Sequence, residues 1–394
     1  MEVYLAILSA VALTGIAGVV NGVRFSRSAV LTLFMPVIVV LILPAALRWH
    51  TGWDWESYDA MLAAAPTAAL GSNSGDILFD VVLRFAALQH ISIYAICASV
   101  IVGGFFLLAS RWCPTTAHVS FALVFFLWYG YYGAWSTIRQ GVSIVFFTAA
   151  VLTSRSKRKW CYLAVAALFH RSALLPVVLY VLYNQLWSAT TAWTKGKRLA
   201  IGVVASAVIV LRLMPGEVSS YFLELSAGIF GASRTNSLAT NTFFIEPYPL
   251  ISGRMAEMWA TMLVLGQLGF ATAPDTEQAL TIKRLFNLQV LHLFTYLLCS
   301  PITFIAERQV LFFDYIHCFS LSYAIVIFGI RVTNRNQLGC LRSFTRRNCI
   351  VSVTVFSLSL AYIANRYVNI LSADSRDPVE LTHHDRFIPY RTAP

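Results

Sequence analysis

Arg139 and Gln140 stand at the mouth of an apolar run, GAWSTIRQGVSIVFF (133–147), just after the aromatics Trp128, Tyr129, Tyr131, Tyr132 and Trp135. A planar guanidinium beside an amide suits a phosphate group. The plainer alternative is an arginine that snorkels to the membrane surface. His170 and Arg171 lie at the centre of WCYLAVAALFHRSALLPVVLYVLYNQLW (160–187). A histidine there could be a general base or a donor to a substrate oxygen, or a hydrogen-bonder between packed helices. Arg171 is its neighbour in an anion site or an ordinary snorkelling residue. In RWHTGWDWESYDAML (48–62), Asp54, Glu56 and Asp59 are interleaved with Trp53, Trp55 and Tyr58. Aromatic faces that stack on pyranose rings, beside carboxylates for their hydroxyls, make a sugar site; an interfacial belt with solvated acids is the alternative. Two further cations, Arg308 next to Glu307 and Arg254 three residues before Glu257, either pair locally or supply charge for a diphosphate.

The elements that must position these residues are membrane helices. The chain is 58% hydrophobic and 12% charged, with a mean hydropathy of +0.68, far from the charge content of soluble domains. Apolar runs long enough to cross hydrocarbon fall at about 3–20, 29–47, 91–110, 119–135, 137–153, 199–213, 254–272, 285–305, 310–330 and 349–366. The fold class is therefore an all-α polytopic bundle of about 10–11 spans forming a single domain, 1–366, with a polar, flexible tail at 367–394. Val3 to Val20 lacks a basic leader and a cleavage signature and reads as a retained first span.

The formal charge of +11 comes from short basic loops, which orient spans and do not suggest nucleic acid. These are Arg24 and Arg27; Arg111; Arg155, Lys157, Arg158 and Lys159; Lys195, Lys197 and Arg198; and Arg331, Arg335, Arg342, Arg346 and Arg347. All of them fall inside if 160–187 enters and returns as a broken, re-entrant helix. Outside segments are then 48–90, 214–253 and the tail. Within the first, DILFDVVLRFAALQH (76–90) has the pattern of an interfacial helix, with Asp80 and Arg84 opposite an apolar face. The turn holding Glu307 and Arg308 would join two spans on the same outer side. The seven cysteines show no metal-ligand spacing, so neither a disulfide framework nor a metal site is expected. No internal repeat is visible, which weighs against transporters built from duplicated halves.

Taken together, Gly52, Asp54 and Tyr58 after the second span, Ile138-Arg139-Gln140 opening a later one, Phe169-His170-Arg171-Ser172-Ala173, and Arg308 followed by Phe312 and Phe313 give the chain a resemblance. It resembles the EpsG-like, Wzy-type family of membrane polysaccharide polymerases. Trp55 stands where that family usually has tyrosine after the aspartate. The resemblance implies a GT-C-like glycosyltransferase, multi-pass in a bacterial inner membrane, with its active site on the outer, periplasmic face. Such an enzyme moves a growing glycan from undecaprenyl diphosphate onto another lipid-linked repeat unit, for O-antigen, capsule or exopolysaccharide. The energy lies in the glycosyl diphosphate bond, so no cofactor is expected, and no Gly-rich phosphate loop is present. Its partners would be undecaprenyl-diphosphate-linked glycans and membrane lipid, with room for a chain-length regulator. Arg139 and Gln140, with Arg308 and either Arg171 or Arg254, would hold the diphosphate. Trp53, Trp55 and Tyr58 would place sugars, and Asp54 or His170 would be the base. Two rivals share these features: a flippase for lipid-linked sugars, and a membrane O-acyltransferase with His170 as base.

Overall fold

The computed structural model describes residues 27–47, 55–131, 137–186, 253–271, 277–300 and 303–333, with a few isolated positions besides. The expected spans at 3–20, 199–213 and 349–366, the loop from 214, the tail, and Gly52, Trp53 and Asp54 lie outside the described residues. Within them every regular element is helical. In chain order these are α1 (Arg27–Ala46), α2 (Trp55–Ala64) and α3 (Ile77–Leu88). α4 (Ile93–Ala98) runs through a π-helical turn (Ser99–Gly103) into α5 (Gly104–Trp112). Then come α6 (Thr116–Tyr129), α7 (Ile138–Leu152), α8 (Ser156–Phe169) and α9 (Leu174–Leu186). The last four are α10 (Gly253–Ala271), α11 (Glu277–Cys299), α12 (Thr303–Val310) and α13 (Asp314–Thr333).

Ala29–Ala46, Ile93–Trp112 and Arg308–Ile327 are long and apolar enough to cross a membrane. Their outward faces are apolar too: Leu33, Met35, Val39 and Leu43 of α1 are all more than 40% exposed, as expected where the surroundings are hydrocarbon. Two helix starts have backbone donors met by a side-chain cap, since unpaired groups cost heavily away from water. Ser92 caps α4 by accepting from Ala95 N–H, and Thr115 caps α6 by accepting from His118 N–H. In the core, Phe105 of α5 stacks between Phe126 of α6 and Phe319 of α13, with ring centroids 4.2 and 5.2 Å away.

The odd segment at 160–187 breaks where the sequence places its histidine. α8 ends at Phe169, His170 is extended (φ −156°, ψ 113°), and a 3₁₀ turn over Arg171–Ala173 leads into α9. Pro176 falls in the first turn of α9, where a missing N–H is harmless. The chain doubles back at this point. Lys159, at the start of α8, lies 5.8 Å from the Tyr180 ring of α9. Tyr180 in turn packs edge-on against Phe147 of α7 at 6.2 Å. α8 runs along α7, and Ser143 Oγ donates to Ala166 O at 2.7 Å.

One expected turn is displaced. Glu307 and Arg308 are not in a turn between two spans, because they lie within helix α12, which continues through a 3₁₀ turn (Leu311–Phe313) into α13. The preceding helix stops at Cys299, just before Ser300-Pro301. A residue that precedes proline is pushed out of the α region, and this sets the boundary.

The loop before α3 is built around Asp80, which is only 4% exposed and so is not on a solvated face. Its carboxylate accepts from Gly71 N–H (2.8 Å), Asn73 N–H (3.3 Å) and Ser74 N–H (3.0 Å). Arg84 donates to the carbonyls of Ala65 and Ala68 and so ties the same segment to the end of α2. Gly71 and Gly75 have φ of +81° and +80°, which only glycine adopts without strain. Replacing Asp80 with Ala leaves three backbone donors without their acceptor. We expect a cost of roughly 3 kcal/mol, read as a clear fall in Tm of the purified protein in detergent; an unchanged Tm would show that the cradle does not hold the loop.

Candidate active site

The loop that Asp80 shapes delivers Asp76 to the centre of the molecule. Asp76 occupies the N-cap position of α3, yet its side chain caps nothing. An aspartate there ordinarily accepts from the first turn of its own helix, worth about 1 kcal/mol. Here the carboxylate turns away and takes three other donors. Oδ2 accepts from Arg139 Nη1 at 2.9 Å and is 3.1 Å from His170 Nδ1, while Oδ1 accepts from Arg171 N–H at 2.9 Å. Arg139 Nη1 donates to Ser74 O as well, also at 2.9 Å. The Asp76 side chain is 1% exposed, against 16% for Arg139 and 13% for His170.

Three segments distant in sequence therefore meet on one carboxylate, and each is placed by its backbone. Arg139 is the second residue of α7, so its side chain leaves from the end of the helix nearest the loop. Its guanidinium lies 5.7 Å from the Tyr58 ring and 5.6 Å from the Phe79 ring. His170 and the Arg171 N–H are supplied by the break between α8 and α9, where a continuing helix would have used that N–H internally. The Arg171 guanidinium rests on Gly75, where an added Cβ would lie 3.2 Å from Nη2.

Burial by itself would push the Asp76 carboxyl up. The hydrogen bond and charge of His170 outweigh it, together with the Arg171 N–H and the charge of Arg139, and hold the carboxyl below its ordinary value of 3.8. As an ionised, acceptor-only group, Asp76 requires His170 to present Nδ1–H to it. The Nε2 lone pair of a neutral His170 then points elsewhere, as in any carboxylate–imidazole dyad.

Gln140 and Arg308 are brought to the same end. Gln140 Nε2 donates to Arg308 O at 2.5 Å. α12, which carries Arg308, packs against the Arg171–Ala173 turn, and the charge of Arg308 is felt at His170. Arg139, Arg171 and Arg308 set three cations against the single carboxylate of Asp76, leaving two positive charges in excess within this group.

Other expected residues are placed differently. Tyr58 is 1% exposed and packs beside Arg139 and Phe79, so its ring does not stand open for a sugar. Trp55 O and Asp59 Oδ1 both accept from Tyr94 OH, at 3.2 and 2.8 Å, which pins α2 to α4. Arg254 belongs to the first turn of α10. Trp53 and Asp54 lie outside the described residues. Sequence reasoning missed Asp76, which looked like an ordinary helix cap. The signal that finds it is the counter-charge demanded by an arginine so close to hydrocarbon.

Residues 31–345 match a protein-family model described as the EpsG family, a segment that contains the whole cluster. Searches of curated proteins and of solved structures found no match.

Removing one partner of a buried pair strands the other, at about 3–5 kcal/mol. Asp76→Asn and Arg139→Gln should each lower Tm strongly in detergent, and the double variant should cost much less than their sum. Strict additivity would mean that the pair is not coupled. The pH dependence has a defined sign. With the folded value below the unfolded one, the stabilisation is complete above about pH 4 and is lost as pH falls through the folded value. This acid-side loss should be absent from Asp76→Asn.

Proposed function

The chain belongs to the EpsG family, and from that premise we propose that it polymerises undecaprenyl-diphosphate-linked oligosaccharide repeat units at the outer face of a bacterial inner membrane. The family points to membrane polysaccharide polymerases with glycosyltransferase activity. The observation that carries the finer reading is the cluster on Asp76, which joins an oriented imidazole to an excess of guanidinium charge.

The orientation of the site follows from the basic loops. Arg155, Lys157, Arg158 and Lys159 follow α7 at the end opposite Arg139. A 15-residue helix separates them, about 22 Å. With the basic end in the cytoplasm, the cluster faces outward. The arms α8 and α9, of 14 and 13 residues, fold back on each other at His170, since Lys159 near the start of α8 meets the Tyr180 ring of α9. This supports a re-entrant hairpin whose tip carries His170 to the site.

In this mechanism Arg171 and Arg308, with Arg254, hold the diphosphate and stabilise the negative charge that develops as it departs. Arg139, whose Nη1 is committed to Ser74 and Asp76, fixes the carboxylate that orients the imidazole. His170 Nε2 takes the proton of the acceptor hydroxyl, the acceptor oxygen bonds to the anomeric carbon, and the bond from that carbon to the diphosphate oxygen breaks with its electron pair leaving on the diphosphate. One such displacement inverts the anomeric centre. His170 is preferred to Asp54 as base because its tautomer is set by a buried carboxylate.

Losing a general base costs about 10²–10⁴ in rate, so His170→Ala in a deletion strain should collapse the surface polysaccharide ladder to single repeat units. Those units should be accessible to an external probe, whereas a lost flippase would trap them inside. Unchanged chain length with altered acetylation would point to an acyltransferase, and a normal ladder from His170→Ala would overturn the mechanism.

A further inference from the structure

The loop that carries Asp76 holds two glycines in the left-handed region, Gly71 at φ +81° and Gly75 at φ +80°. Their backbones demand glycine equally, but their surroundings differ. A Cβ added to Gly71 would meet one atom, Cγ1 of Ile77 at 3.6 Å, which is ordinary contact. A Cβ added to Gly75 would lie 3.2 Å from Nη2, 3.3 Å from Cζ and 3.4 Å from Nη1 of Arg171. Such similar separations to three atoms of one plane put that Cβ over the face of the guanidinium, because at its edge Cζ would stand clearly farther off than the two nitrogens. The cation therefore lies flat across the open side of Gly75. A glycine at 71 is explained by its backbone alone; at 75 the backbone and the cation both exclude a side chain.

Neither partner in this contact can retreat easily. On the loop side, Ser74 N–H donates to Asp80 Oδ1 at 3.0 Å and Asp76 N–H donates to Ser74 Oγ at 3.1 Å, so Gly75 is bracketed by two anchored residues. On the other side, Arg171 N–H donates to Asp76 Oδ1 at 2.9 Å, which ties its backbone to the next residue of the same loop. One residue of the α8–α9 break thus holds two consecutive loop residues, Asp76 through its main chain and Gly75 through its side chain. All three separations from the added Cβ are shorter than a comfortable carbon contact of about 3.5–4.0 Å. With both backbones held, a methyl group at 75 is relieved only by swinging the rigid guanidinium plane away. Arg171 is half-buried, so a ligand can reach it where it stands. A guanidinium covered on one face makes its hydrogen bonds in its own plane, in the fork geometry that grips a phosphate.

We propose that Gly75 is a positioning residue that seats the Arg171 guanidinium for the diphosphate of the lipid carrier. The inference rests on the polymerase reading, in which Arg171 is one of the cations that hold that group. Gly75 acts through Arg171 and is not itself catalytic.

The test is binding of undecaprenyl diphosphate, without sugar, to the full-length protein in nanodiscs, with Tm read on the same samples. Wild type should bind, and Gly75→Ala should weaken binding about tenfold or more, as for the loss of one charge-assisted hydrogen bond. Gly71→Ala imposes the same backbone strain without meeting Arg171, so it should lower Tm to a similar extent yet bind like wild type. Arg171→Ala should weaken binding, and adding Gly75→Ala to it should cost no further affinity. If the alanine variants fail to fold, Gly71→Asn and Gly75→Asn make the same comparison with a residue that better tolerates positive φ. Equal binding by the Gly71 and Gly75 variants, or losses from Gly75→Ala and Arg171→Ala that add, would overturn the proposal and leave Gly75 a requirement of the backbone alone. A wild-type protein that does not bind undecaprenyl diphosphate would instead overturn the polymerase reading.

Discussion

A single carboxylate decides how this molecule tolerates charge next to hydrocarbon. Asp76 is buried, ionised and surrounded by Arg139, His170 and the Arg171 N–H. Any of these groups would be costly alone: an arginine at the mouth of an apolar helix, an unpaired peptide donor at a helix break, a carboxylate out of water. Together each removes the desolvation cost of the others. The loop geometry follows from this need. Asp76 can reach the cluster only because it gives up capping its own helix, and the loop stays ordered because Asp80, one turn on, accepts three of its backbone donors.

Much of the helical layout was legible because hydrocarbon leaves few choices. Long apolar runs had to be helices, and the boundaries of α1, α7 and α10 fall within two residues of the expected spans. The break at His170 was visible because 160–187 is too long for one crossing and carries a charged centre. The displaced turn at Glu307–Arg308 shows where this logic weakens. Charged residues looked like a solvated turn, but the proline at 301 ended the helix earlier and let the charges ride on α12.

The site was half legible. Arg139, His170, Arg171, Gln140 and Arg308 stood out because polar side chains are rare in such surroundings, and they do converge. Their organiser did not stand out. An aspartate before an apolar helix is what any helix cap looks like, and nothing local distinguishes one whose side chain points the other way. Tyr58 erred in the opposite sense. Its neighbours suggested an open sugar platform, but the ring is drawn inward by the guanidinium and by Phe79. Sequence reveals which residues are expensive to bury. Which residue compensates them depends on contacts between segments 63 to 95 positions apart.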